Sequence, residues 1–465
     1  MSKRIVVGLI KGLLLIAAFP LVLIALFVVI NLTDEDLTPE AIAALRAPPE
    51  IPPSVDNGFI HFLGMDAPEG IAAYEWGVKV LEAYRSANRP GFERDQNWEN
   101  SVGAVRQRVK DNGKWCAIDE GISCLSILNR NPDILGLLKQ HALFINRYDE
   151  VRRQPVFKEI NFEAGPKAPT SPFHRLVSGQ NLSLLKATEL ASAGDIEAAL
   201  AEIETEIAFH RKVLSGMNSL WQKRQALRLL QNDVIYLSGL LRDIPESLLP
   251  HKAKIAAMLA PLSAAESDLK AAFAESLRYL VSNVPLNKFP LGAFLSSYGS
   301  GGPEALYEWA GYRPKSTINL LISMLLIEED LADAPISGID KRIESNQARY
   351  AEITEPGKWH LQNRTGFELM GLFRDSQFLS TIFRVHDTLG LMSLVALQNE
   401  LNGSSREKTS VNSVLQGDPG KKRADPYTGL PMDFNAETKT LSFAPRGDSL
   451  KGLKARFDGR IAVRL

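Results

Sequence analysis

The sequence predicts a mainly α-helical protein with an N-terminal transmembrane helix, a multi-helix body and a small C-terminal β-hairpin. Three observations lead to this fold class. Residues 12–33 carry no charge, apolar residues recur at helical spacing between residues 70 and 400, and apolar and polar residues alternate across a turn at 430–443. The chain accordingly divides into an anchor (1–33), a proline-rich spacer (34–56), a helical domain (57–400) and a polar loop with a small β unit packed on that domain (401–465).

The apolar run at 12–33 is long enough to cross a bilayer, because about 20 apolar residues suffice for a helix. Lys3, Arg4 and Lys11 precede it, and the acidic residues 34–36 follow it. Its apolar core exceeds the roughly 7–15 residues of a signal peptide and lacks small residues at a cleavage position, which favours a retained anchor. Since basic residues favour the cytoplasmic side, we expect a single-pass protein of a bacterial inner membrane whose bulk is periplasmic.

Composition and charge exclude some classes of partner. The chain is 45% hydrophobic with a formal net charge of −1, so it has no basic excess of the kind that nucleic-acid-binding proteins show. Residues 47–53 are rich in proline and predict a semi-rigid spacer. We therefore expect contact with the inner membrane through residues 12–33, an envelope protein as a further partner, and no nucleic acid.

The two cysteines predict a disulfide. Cys116 and Cys124 are eight positions apart with Gly121 between them, which allows the chain to bend back. In an oxidising compartment two nearby cysteines usually pair. Two free buried thiols and a redox or metal role are the alternatives, although a redox pair more often has C-x-x-C spacing and a metal site needs more ligands.

Helical periodicity accounts for most of the chain between the spacer and residue 400. The predicted helices cover 71–86, 101–110, 131–149, 181–193, 195–214, 220–242, 245–259, 263–281, 315–332, 340–352 and 376–399. The connection at 284–303 contains several glycine and proline residues and is the candidate for a mobile lid.

The boundary between two of these helices is marked by Gly194 and Asp195. Glycine is typical just after a helix, and aspartate is typical as the N-cap of the next one. Residues 190–200 resemble the helix junction of tetratricopeptide repeats, in which small residues allow two helices to approach closely. No second copy follows at the repeat length, so an ordinary helical hairpin and a tetratricopeptide-like repeat are both compatible with the pattern.

The last part of the chain changes character. Residues 403–423 are polar and predict a flexible segment. Leu430, Met432 and Phe434 alternate with other residues before a turn, and Leu441 and Phe443 continue the alternation after it, which predicts a β-hairpin. Residues 461–465 are a candidate for one more strand.

No motif in the sequence identifies a catalytic, cofactor-binding or metal-binding residue. The seven histidines form no H-E-x-x-H pattern and no i, i+4 pair. His386 is followed by Asp387, but helical neighbours point to different faces, which favours a packing or surface role for His386. If the protein were an enzyme, the first candidates would be His174 with Arg175, Glu275 with Arg278, and the connection at 284–303.

Two C-terminal stretches together resemble a loosely defined group of uncharacterised membrane-anchored bacterial proteins. Asn363-Arg364-Thr365-Gly366 precedes a long apolar helix, and a small β unit begins with Asp425-Pro426-Tyr427-Thr428-Gly429-Leu430-Pro431. This unit is similar to the ends of type II secretion pseudopilins. The resemblance covers about the last hundred residues and implies a local fold, not pilus assembly, because residues 2–8 lack the pseudopilin processing site and its glutamate.

These observations favour a non-catalytic binding or scaffold role in the periplasm. One alternative is an envelope enzyme whose polar groups meet only in three dimensions, which a concave pocket with strongly shifted pKa values would indicate. Another is a secretion-related assembly component, for which an exposed β unit would be expected. Binding would use a groove between helices, so an exposed apolar groove without such a pocket would favour it.

Overall fold

The computed structural model shows a mainly helical chain that ends in a small three-stranded sheet. It describes residues 18–19, 22–46, 51–87, 115–116, 118, 122–160, 172–282, 284, 310–332, 336–354, 362–367, 377–402, 408–448 and 450–465. The chain divides into two compact units, each assembled from separate stretches. Unit 1 consists of Met1–Ala47, Leu277–Asp333 and Asp340–Ser376, and unit 2 consists of Pro48–Ser276, Ala334–Ile339 and Gln377–Leu465.

The predicted transmembrane helix at 12–33 is wrong for the residues that the structure describes. None of the described helices combines the length and the apolar character needed to cross a bilayer. Within the run, residues 18–19 and 22–30 are helical, and the described stretch at 22–30 covers about 14 Å of a hydrocarbon core of about 30 Å. Asn31, which follows this stretch, is buried, and its side chain donates to the Phe27 carbonyl at 2.9 Å.

The longer described helices of unit 1 are α1 (22–30), α2 (Pro39–Leu45), α15 (Pro314–Ala332) and most of α16 (Ile339–Thr354), and residues 364–367 are also helical. The acidic residues after the apolar run are used inside this unit. The Asp34 carboxylate accepts from the backbone N–H groups of Lys315 and Ser316, at 2.8 and 3.1 Å. These are orphan donors of the first turn of α15, so Asp34 acts as a cap supplied by a distant part of the chain.

Unit 2 contains the remaining elements, which are named here in chain order. Its helices are α3 (Gly58–Leu63), α4 (Ala73–Ala87), α5 (Cys124–Arg130), α6 (Gly136–Gln140), α7 (Ala142–Arg153), α8 (His174–Ser192), α9 (Ile196–Gly216), α10 (Leu220–Asp243), α11 (Pro245–Leu248), α12 (Lys252–Met258), α13 (Ala264–Ser267), α14 (Lys270–Ser282, whose last residues belong to unit 1), α17 (Gln377–Leu401), α18 (Lys408–Gln416), α19 (Asp418–Lys422) and α20 (Lys451–Arg456). Short 3-10 turns lie at Pro132–Leu135, Leu249–His251 and Ile336–Gly338.

Four long helices form the core of unit 2. Helix α8 packs on α9, α9 packs on α10, and α10 packs on α17. The junction of α8 and α9 is as predicted: Gly194 has a φ of +84°, and the Asp195 side chain accepts from the Ala198 N–H at 3.1 Å. The next partner of α10 comes from much later in the chain, whereas stacked repeats pack on their sequence neighbours. The pair is therefore a helical hairpin.

Several predicted helices are divided in the structure. The prediction at 131–149 becomes a 3-10 turn, α6 and α7, with a break at His141, whose φ and ψ are −109° and 22°. The prediction at 245–259 is interrupted by a 3-10 turn that contains Pro250, which lacks a backbone N–H. The predicted helix at 101–110 and the candidate lid at 284–303, except Val284, lie outside the described residues.

The C-terminal region is more ordered than the sequence predicts. Within the polar stretch at 403–423 the structure forms α18 and α19, and α18 buries Val411 and Leu415 at helical spacing. The predicted hairpin is part of a three-stranded antiparallel sheet with the order β1 (Asp433–Asn435), β2 (Thr440–Phe443) and β3 (Ile461–Arg464). Strands β2 and β3 pack on α17.

The predicted disulfide is present. Cys116 and Cys124 are joined, with their Cα atoms 5.3 Å apart, and both are buried. Trp115, next to the first cysteine, donates its indole N–H to the Asn181 carbonyl of α8 at 2.9 Å. The bond therefore connects the described residues at 115–116 to the start of α5.

Replacing both cysteines by serine is expected to lower the free energy of unfolding by about 2–3 kcal/mol, because the short loop is no longer closed in the unfolded chain. Urea unfolding followed by circular dichroism measures the difference, and thiol titration of the unfolded wild type checks that no free thiol is present. Treatment of the wild type with a reductant should reproduce the loss. An unfolding midpoint that is insensitive to both changes would contradict the prediction.

Candidate functional site

The most prominent group of titratable residues lies inside unit 2, between α7, α8, α9 and α10. We call it the buried ionic cluster. Its members are Tyr148 and Arg152 on α7, Glu202, Glu206 and His210 on α9, and Asp233 on α10. Residues four apart on a helix share one face. Helices α7 and α9 therefore each direct a row of polar side chains at the neighbouring helices.

Arg152 is the cation at one end of the cluster. Its Nη1 donates to Glu202 at 2.7 Å, to Glu206 at 2.6 Å and to the Ser183 hydroxyl at 3.0 Å, while Nη2 pairs with Asp149. Burial lowers the pKa of Arg152, but Glu206 and the neighbouring acidic groups more than offset that effect and raise it. Arg152 therefore keeps its charge in the interior.

Glu202 is the anionic partner of Arg152 that also contacts Lys186. Burial raises the pKa of its carboxyl group, but Arg152 and hydrogen bonds from Ser183 and Lys186 lower it to about 2. The Lys186 ammonium lies 2.9 Å from Glu202. Glu202 is thus ionised at neutral pH and stabilises the buried guanidinium.

His210 and Asp233 form the other end of the cluster. Their Nδ1 and Oδ2 atoms are 2.5 Å apart, and neither side chain is exposed. Gln180 donates to the second Asp233 oxygen, also at 2.5 Å. Burial lowers the pKa of His210, but Asp233 and Glu206 raise it above its ordinary value.

Glu206 joins the two ends. One of its oxygens accepts from Arg152, and the other accepts from the Tyr148 hydroxyl at 2.9 Å. The same oxygen lies 3.6 Å from Nε2 of His210. With His210 protonated, two cations and two carboxylates balance among Arg152, His210, Glu206 and Asp233, as a buried ionic network requires.

The geometry limits the chemistry that this cluster can perform. Glu206, His210 and Asp233 are fully buried, so a substrate cannot reach them in this conformation. What the cluster can do is hold four helices together, or hold a small cation: Glu206, His210 and Asp233 each offer a ligand atom within 4.8 Å of the others.

No sequence motif predicted this cluster. The sequence does contain one indication of it, because Glu206 and His210 lie on the apolar face of α9 that also carries Ile203 and Ile207. Ionisable residues on such a face must find partners inside the protein. Those partners could not be named from the sequence, because Arg152 is 54 residues from Glu206 and Asp233 is 23 residues from His210.

The candidates taken from the sequence lie elsewhere. His174 begins α8, and Arg175 is buried with its guanidinium paired to Asp66, 2.8 Å away. Glu275 and Arg278 lie on α14. None of these four residues belongs to the buried ionic cluster.

The C-terminal motif has a structural function in the described chain. The Tyr427 hydroxyl donates to the buried Asp387 carboxylate at 2.6 Å, and the Gly447 N–H donates to its other oxygen at 2.9 Å. Asp425 accepts from the Tyr427 N–H at 2.8 Å, and Gly429 has a φ of +68°. The Asp-Pro-Tyr-Thr-Gly stretch is therefore a turn that attaches the β unit to α17.

A small cleft lies next to the disulfide. Its cavity volume is about 10 Å³, which is about the space of one water molecule, and it is lined by Cys124, Ile122, Tyr236 and other largely apolar residues. Sites for drug-sized ligands are larger, at roughly 300–1,000 Å³. Its ionisable lining residues are Tyr236, whose hydroxyl is hydrogen-bonded to Thr188, and Asp243.

Comparisons with protein-family models, with curated proteins and with solved structures find no match to this chain. The resemblance of the C-terminal β unit to pseudopilins therefore stays a prediction.

The ionised state of Glu202 should contribute to stability in acid. Since its folded pKa of about 2 lies below the ordinary value of 4.5, the contribution is complete above pH 4.5 and is lost as the pH falls through 2. We expect Glu202→Gln to lower the free energy of unfolding at neutral pH by about 2 kcal/mol and to flatten its decline in acid.

Urea unfolding at a series of pH values tests this expectation. Glu204→Gln is the matched control, because Glu204 is on the same helix and its side chain is half exposed. The assignment to Glu202 would be wrong if both variants followed the acid profile of the wild type.

Proposed function

We propose that this protein is a non-catalytic binding or scaffold protein of an oxidising compartment, such as the bacterial envelope, and that one apolar segment of unit 1 contacts a lipid surface. The segment consists of the described residues 18, 19 and 22–32. The proposed contact is with the apolar region of a lipid surface and does not require a helix that crosses it. The disulfide supports the compartment, since such bonds persist mainly in oxidising environments.

The exposure of this segment is the observation that carries the proposal. Seven large apolar side chains are between 49% and 64% exposed: Phe19, Val22, Leu23, Ile24, Leu26, Val29 and Leu32. Soluble surfaces carry single exposed apolar residues, but a contiguous patch marks an interaction site.

The distribution of the exposed side chains favours lipid over a protein groove. Val22, Leu23 and Ile24 are consecutive, so at 3.6 residues per turn they point in three directions around α1. A protein groove covers one stripe of a helix and would leave the others in water. Hydrocarbon can surround the helix on all the exposed sides.

The end of the segment is fixed firmly to the rest of unit 1. The Arg313 guanidinium donates to the Ile30 carbonyl, and the Asn363 N–H donates to the Asn31 side chain at 2.9 Å. Asp34 caps α15 a few residues later. A rigid attachment means that docking of α1 on a surface also orients unit 1.

The alternatives from the sequence have less support. An enzyme is disfavoured because the central groups of the buried ionic cluster are closed to solvent and because the cleft by the disulfide is small. An assembly component was expected to expose its β unit. Leu441 and Phe443 of β2 are instead fully buried, and the sheet packs on α17.

Flotation with lipid vesicles tests the proposal. The purified full chain is mixed with vesicles of phosphatidylcholine and a minor fraction of phosphatidylglycerol, and we expect it to float with them. The triple variant Leu23→Asn, Leu26→Asn, Val29→Asn should lose about 3 kcal/mol of transfer free energy, which is on the order of 100-fold in partitioning.

Leu143→Asn is the matched control, because Leu143 is 46% exposed but lies on α7 in unit 2. It should float like the wild type. Sedimentation equilibrium without vesicles measures the oligomeric state. It therefore shows whether the apolar segment binds a second copy of the chain instead of lipid. A wild type that does not float, or that self-associates through a surface abolished by the triple variant, would overturn the lipid contact.

A further inference from the structure

Three donor atoms of the buried ionic cluster form a compact triangle. The Tyr148 hydroxyl lies 2.9 Å from Oε2 of Glu206 and 3.4 Å from Nε2 of His210, and the last two atoms are 3.6 Å apart. A point equidistant from the three atoms lies about 1.9 Å from each, and a point slightly above their plane reaches the 2.0–2.2 Å typical of zinc bound to nitrogen and oxygen.

The contacts of the two imidazole nitrogens differ in length. Nε2 of His210 lies 3.4 Å from the Tyr148 hydroxyl and 3.6 Å from Glu206, whereas Nδ1 lies 2.5 Å from Asp233. A metal ion between the three atoms would contact all of them at once.

Asp233 fixes the orientation of the imidazole. It pairs with Nδ1 of His210 at 2.5 Å and is itself held by Gln180, which leaves Nε2 directed at Tyr148 and Glu206. A carboxylate behind a histidine is the usual support of a metal-bound imidazole, because it fixes the tautomer and raises the basicity of the ligand.

We propose that Tyr148, Glu206 and His210 form a structural site for one divalent transition-metal ion, with Asp233 as the positioning residue. Nitrogen and oxygen donors of this kind suit zinc and its neighbours in the first transition row. These residues supply three of the four positions of a tetrahedral ion, and their side chains are buried.

The charges remain balanced when the ion binds. A divalent cation adds two positive charges, and two protons leave to solvent, one from the imidazolium of His210 and one from the phenol of Tyr148. The sum over the cluster is unchanged, and Arg152 keeps its pairs with Glu202 and with the other oxygen of Glu206. Because the ligands are buried, the ion must enter as the protein folds.

Refolding in the presence of zinc tests the site. The full chain is unfolded in guanidinium chloride with a chelator, refolded with or without Zn²⁺, dialysed, and measured by inductively coupled plasma mass spectrometry. We expect one zinc per chain and a thermal midpoint several degrees above that of protein refolded without metal. Cobalt in place of zinc should give visible absorption bands of a low-symmetry site.

Variants identify the ligands. Tyr148→Phe keeps the ring and should weaken zinc binding at least tenfold and alter the cobalt spectrum, and His210→Gln should abolish stoichiometric binding. Glu204→Gln on the same helix is the control and should bind like the wild type. A wild type that refolds without retaining zinc would overturn the site, as would zinc retention that is equal in all variants.

Discussion

The buried charge of Arg152 is the constraint on which the centre of unit 2 depends. A guanidinium cannot lose its proton in a protein, so its burial requires carboxylates at hydrogen-bonding distance. Glu202 and Glu206 supply them from α9, and Ser183 adds an acceptor from α8. Glu206 then meets Tyr148 and lies near His210, and His210 pairs with Asp233 on α10. Each group is in place because the previous one needs a partner, and the relative positions of four helices follow from the chain of contacts.

A second buried carboxylate, that of Asp387, fixes the position of the β unit on α17. Asp387 on α17 is fully buried and accepts from the Tyr427 hydroxyl and from the backbone of residue 447. Burial raises the pKa of its carboxyl group, which these hydrogen bonds partly offset. The apolar side chains of β2 cover the same helix. The β unit is therefore positioned by one directional contact and stabilised by non-directional burial around it.

The sequence predicted the features that depend on local rules. The junction at Gly194 and Asp195, the disulfide and most long helices follow from caps, spacing and periodicity, and each lies close to its predicted place. The prediction of a spanning helix was wrong because none of the described helices is long and apolar enough to cross a bilayer, and periodicity does not show that Asn31, at the end of the run, is buried and bonded to Asn363. The buried ionic cluster could not be predicted, since it joins residues from four helices and its pairs are set by packing. Helix α18, within the polar stretch at 403–423, was not predicted because only two of its apolar residues, Val411 and Leu415, are buried, which is too few for a clear helical period.

The discontinuous build of unit 1 has a consequence for synthesis on the ribosome. The hydrogen bond between Asn31 and Asn363 joins residues 332 positions apart. At about 5–20 residues per second, the N-terminal segment waits roughly 20–60 s for this partner to emerge. During that interval the apolar side chains of α1 lack the part of the chain that will hold them, while the consecutive helices α7 to α10 can already pack. The growing chain thus exposes the apolar side chains of α1 well before the residues that hold this helix are made, so a binding partner that covers them early would also assist folding.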